Sequence, residues 1–63
     1  MIVPPGNQVL VYNPANSTYQ TLTPVSGDTN SICPDSLPGM VTVNAPSANV
    51  TSLITALGLT PET

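Results

Sequence analysis

Two runs with strand character lie near the start of the chain. Val9, Leu10, Val11 and Tyr12 form one; Thr18, Tyr19, Thr21 and Leu22 form the other. Their β-branched, aromatic and aliphatic side chains suit a pleated surface. Between them, Asn13-Pro14-Ala15-Asn16-Ser17 is turn chemistry. Pro14 presets φ at the second position of a type I turn, and Asn16 tolerates positive φ. The pattern predicts a β-hairpin over about 8–23. With Asn13 opposite Thr18, Tyr12 faces Tyr19 and Val9 faces Leu22; with a loop one residue longer, Val11 faces Tyr19. Either register leaves apolar and polar side chains on both faces. A hairpin with one wet face alternates cleanly, so this one is expected to be covered on both sides.

The rhythm changes to a helical one near the C-terminus. Val50, Leu53, Ile54 and Leu57 recur at i, i+3, i+4 and i+7 and predict an amphipathic helix over about 48–57. Ser47 is the expected N-cap, Gly58 the C-cap, and Pro61 bars continuation. The opposite face carries Asn49, Ser52 and Thr55. A helix this short does not persist alone in water, so its stripe must dock, on the hairpin or on a partner. Residues 40–44, "MVTVN", predict a short third strand that can join the hairpin. Residues 23–39 are a long loop of Pro, Gly, Ser and Asp in which Val25, Ile32 and Leu37 are spaced as anchors. Residues 1–8, "MIVPPGNQ", predict an extended arm, because Pro4 and Pro5 fix φ and lack amide donors. Met1, Ile2 and Val3 are its apolar tip. The expected fold is small α+β in one domain over 1–63: arm 1–8, hairpin, loop and strand 9–44, helix 47–58.

Composition sharpens this picture. The 63 residues contain no Lys, Arg or His, three acidic residues (Asp28, Asp35, Glu62) and a formal net charge of -3. Ordinary domains have about 25% charged residues; here the figure is 5%. Without cations the chain lacks the groups that bind phosphate backbones or anionic membrane surfaces, so neither nucleic acid nor membrane is expected as a partner. No apolar run reaches transmembrane length, and the first residues lack the charged and apolar regions of a signal peptide. A chain this small buries only about 60% of its unfolded surface. Small domains usually add disulfides, a metal or oligomerisation. One cysteine, Cys33, and no histidine leave association as the expected aid.

Candidate chemistry is sparse. The serines and threonines have no His or Lys to act as base. Cys33 has no His partner and reads as a small apolar loop anchor, or else as an intermolecular contact or disulfide. Asp28 and Asp35 lie on a loop too small to build a cleft around a carboxylate pair. "GDTNS" matches only a fragment of a Ca²⁺ loop and lacks the distal Glu. Asn16-Ser17-Thr18 and Asn49-Val50-Thr51 are glycosylation acceptors only in a secretory setting. No catalytic, cofactor or metal residues are therefore expected, and the chain is not expected to be an enzyme.

These readings point to a structural subunit of a larger assembly. By analogy of size and composition, a small minor, cement or decoration protein of a virion fits, binding larger capsid or tail subunits and copies of itself. The expected partner-binding residues are Ile2, Val3, Tyr12, Tyr19, Ile32, Leu37, Val50, Leu53, Ile54 and Leu57. The alternative is a secreted or surface-displayed small binding module for a glycan or protein ligand, with Tyr12, Tyr19 and the Asn-rich turn as its face. A small inhibitor inserting residues 24–39 is a third option.

Overall fold

The structure, a computed structural model, describes residues 1–62. It is a small α+β fold. The hairpin strands are β2 (Asn7–Asn13) and β3 (Thr18–Thr21), in the register that sets Asn13 against Thr18 and Tyr12 against Tyr19. The Asn13 side chain accepts from the Ala15 N–H, and the Asn16 side chain accepts from both the hydroxyl and the N–H of Thr18. The positive φ that Asn16 could tolerate falls on Ser17 (φ 58°), the last loop residue.

The third strand is longer than the pattern suggested. Strand β5 (Val41–Pro46) runs antiparallel along β2 from Tyr12↔Val41 to Asn7↔Pro46, leaving only Asn13 of β2 without a partner on it. It enters the helix α1 (Ser47–Leu57) with no loop between them. Ser47 is therefore the first helical residue and not its N-cap. Its N–H extends the ladder to the Gly6 carbonyl, and its hydroxyl donates to Gln8 Oε1. Pro46 holds the cap position without a side-chain bond. The other end follows expectation. Gly58 adopts φ 65°, its N–H donates to Thr55 O, and Leu59 N–H donates to Ile54 O, which is the Schellman pattern.

Two pairings go beyond the sequence reading. The arm does not project: β1 (Ile2–Val3) folds back and pairs antiparallel with β4 (Ser31–Ile32), so the long loop carries one side of a two-stranded ribbon. After Gly58 the chain turns onto the sheet, where β6 (Thr60–Pro61) lies parallel to β3. Thr60 and Glu62 donate to Ser17 O and Tyr19 O. Pro61 sits between them, where an edge strand needs no donor. The main sheet runs β5-β2-β3-β6.

Both faces of this sheet are covered. Ser47 N–H bonds Gly6 O and Leu22 N–H bonds Val9 O. The backbone groups of Gln8, Leu10 and Tyr12 therefore face β5, and those of Val9 and Val11 face β3. Side chains alternate accordingly. Leu10 lies on the face that α1 covers, with Val41, Val43 and Ala45; Val9 lies on the face covered by the ribbon, with Thr42 and Asn44. Leu10 and Val50 are buried on the helix side, and Val3 and Val9 on the other. Adjacent Val9 and Leu10 can both be buried only because the sheet is packed from two sides.

Candidate partner-binding surface

The ten residues singled out in the sequence fall into three groups. Val3 and Val50 are core residues, each 1% exposed, and offer no surface to a partner in this fold. Val3 is in the core because the arm folds back and turns alternate side chains inward and outward. Val50 is there because the helical stripe docks on the chain's own sheet. Leu53, Ile54, Tyr12 and Tyr19 are half-buried. The tyrosines form a cross-strand pair at the turn end of the hairpin. By the alternation above it is a pair without mutual hydrogen bonds, in which side chains approach most closely.

Ile2, Ile32, Leu37 and Leu57 form the third group and remain exposed. Ile2 and Ile32 are direct partners across the ribbon. Met1 and Cys33 beside them exchange both backbone bonds, each at 2.9 Å, so Ile2 and Ile32 form the close, non-hydrogen-bonded kind of pair. They point away from the core because Val3 points into it. Ile2 is 61% exposed, Ile32 83% and Leu37, on the segment leading from β4 to β5, 76%. The chain thus holds two apolar side chains against each other with most of their area in water. The ribbon is a supported platform. Asn44 Nδ2 donates to Ile2 O at 2.9 Å, Asn7 Nδ2 donates to Asn44 Oδ1 at 3.0 Å, and the N-terminal ammonium lies 3.8 Å from the exposed Asp35 carboxylate. Cys33, half-buried, has a free thiol.

Two shallow depressions lie elsewhere. One, of ≈ 370 Å³, is apolar and runs along the flank of α1 over β5, lined by Ala45, Asn49, Ser52, Leu53 and Ala56. The other, of ≈ 350 Å³, is polar and lies beside β6, with Tyr19, Gln20, Thr21, Pro61 and Glu62 at its walls. Sequence reasoning did not find the first, because nothing in the spacing of small residues says which helix flank overhangs a sheet edge. It missed the second because β6 itself was not foreseen. Among the described residues no three Cys, Asp or Glu side chains gather as a metal-ligand set. In comparisons with protein-family models, curated proteins and solved structures, nothing matches this chain.

Proposed function

We propose that the chain is a non-enzymatic structural subunit of a larger assembly, of the minor, cement or decoration type found on virions, and that it binds and stabilises larger capsid or tail subunits. The observation that carries this reading is the supported apolar pair Ile2–Ile32, with Leu37 exposed on the following segment. Scattered exposed apolar residues are ordinary, but a pair held together on a braced ribbon is the kind of feature that a partner covers. Composition supports the same reading. A surface of Thr, Ser, Asn and Gln with 5% charged residues can be covered without burying unpaired ions. The larger subunit would supply an apolar groove for the two isoleucines, with localisation in the particle.

The test is to fractionate the source material by size and search the particle fraction for the chain. Trypsin has no site in a sequence without Lys or Arg, so chymotryptic peptides ending at Tyr12 and Tyr19 are the ones to seek. Co-sedimentation with particles, lost on Ile32→Asn, is the expected result. Recovery only as a small soluble species overturns the proposal. A second reading, the surface binding module, draws on the polar depression beside Tyr19 and Glu62. It predicts ligand binding that Tyr19→Ala abolishes and Ile32→Asn leaves intact.

A further inference from the structure

We infer that two copies of this chain pair through the outer edge of β5, giving a symmetric dimer with one continuous eight-stranded sheet. β5 ends the sheet, and among the described residues no strand pairs with its outer side. Val41, Val43 and Ala45 direct their backbone groups to β2, so Thr42 and Asn44 present theirs outward. The strand and the helical flank above it carry no charged residue. The charges, proline-blocked centres and bulges with which sheets protect an open edge are missing from its middle.

A second copy fits this edge better than an unrelated strand, because the edge complements itself. In the antiparallel register centred on Val43, Thr42 of each copy pairs with Asn44 of the other, and all the free outward amides and carbonyls of those two residues are used. The ladder stops where donors run out on both sides together. Pro46, which has no N–H, falls opposite Met40, whose N–H already bonds Leu37 O. On the helix face the register sets Val43 on Val43 and Val41 against Ala45, all apolar. On the ribbon face it sets Thr42 beside Asn44.

The helices fit the same dyad. α1 packs on both β2 and β5. With strands about 4.8 Å apart, an axis over that seam lies about 10 Å from its symmetry mate, close to the 8–10 Å at which helices pack. The flanks that meet there, Asn49, Ser52 and Ala56, are small, and with Ala45 and Leu53 they line the apolar depression that the second helix would fill. A specific dimer needs roughly 500 Å² per copy, about an eighth of the 4079 Å² this chain exposes. That is within reach of a six-residue strand and one helix flank.

The inference concerns the chain alone and stands whether or not a larger partner exists. Sedimentation equilibrium of the purified chain should show twice the 6.4 kDa chain mass, with dissociation on dilution. Thr42→Pro removes one outward donor from each copy, and Ser52→Lys places a cation on each facing flank. Each should raise the dissociation constant at least tenfold, and Ile32→Asn should leave it unchanged. Ser52 is exposed, so this variant tests the interface even if Thr42→Pro disturbs the strand. A monomer at all concentrations up to about 1 mM, the weak end of specific association, overturns the inference and leaves the edge open to a strand of another protein. So does a dimer that Ser52→Lys does not weaken, or one that Ile32→Asn disperses.

Discussion

The folded-back arm makes a prediction about two neighbouring residues. Val3 points into the core and Ile2 out of it, so substitutions one position apart should differ several-fold in cost. Val3→Ala removes two methyl groups from a side chain that is fully buried. At about 0.8 kcal/mol per buried carbon the lost transfer free energy is about 1.6 kcal/mol, and the void raises the cost to about 2–3 kcal/mol. Ile2→Thr keeps the β-branch at an exposed site and should cost less than about 0.5 kcal/mol. A chain of 63 residues has a stability of roughly 3–9 kcal/mol in total, so Val3→Ala removes a large share. Urea unfolding followed by far-ultraviolet circular dichroism, with dilute protein, measures both variants. Hydrogen exchange at the Cys33 amide, which donates to Met1 O, reports whether the ribbon opens. Val3→Ala within about 0.5 kcal/mol of the parent would mean that the arm is free. A large loss at Ile2 with little at Val3 would mean that the ribbon register is off by one residue, and either result refutes the two-sided core.

Three further outcomes follow from single interactions. Gly58→Ala forces a Cβ into the left-handed conformation at φ 65° with no clash to relieve, and should lower stability by about 1–2 kcal/mol in thermal melts. Thr42→Val removes the hydroxyl that finds no partner within the chain, and in the unassociated protein should raise stability by about 1 kcal/mol, read as a higher urea midpoint. Asn44→Ala breaks the bonds to Asn7 and to Ile2 O. It should cost about 1 kcal/mol and accelerate exchange in the ribbon more than in β2–β3.

Local chemistry made most of the main elements legible. The hairpin and its turn, the helix span and its Gly58 cap could be read because each is specified by residues a few positions apart, although the turn left two hairpin registers open, of which the structure takes the one that sets Tyr12 against Tyr19. The ribbon and β6 could not. Ile2–Val3, Ser31–Ile32 and Thr60–Pro61 are two-residue strands, too short to show a period of two. Their pairing is decided by the tertiary ladder, which spans 30 positions at Ile2↔Ile32. Ser47 shows the limit from the other side. It is a good capping residue on propensity, but β5 runs into the helix without a break, and the ladder takes the amide first. Of the surface, Ile2, Ile32 and Leu37 were legible as apolar residues in a polar setting. That Val3 would be core and Ile2 exposed depended on pairing with Ser31 and Ile32.

The absence of cations takes on a physical meaning once the hydrogen bonds are followed. A polar surface resists being covered mainly because its water must be replaced. Here much of that surface is already bonded to the chain itself. Thr51, Ser52 and Thr55 on the outer helix face donate back to the carbonyls of Ser47, Ala48 and Thr51. Gln8 Nε2 donates to Leu22 O, and the carboxamides of Asn7, Asn13, Asn16 and Asn44 bond within the chain. Such groups have satisfied part of their bonding capacity before any partner arrives, so covering them leaves fewer donors stranded than covering Lys or Glu would. The Ile2–Ile32 pair and the open β5 edge then lie in a surroundings where contact is inexpensive over a wide area. A lone soluble domain would be prone to aggregate with such a surface. In the proposed role as an assembly subunit, with these faces occupied, the chain would lose little by it.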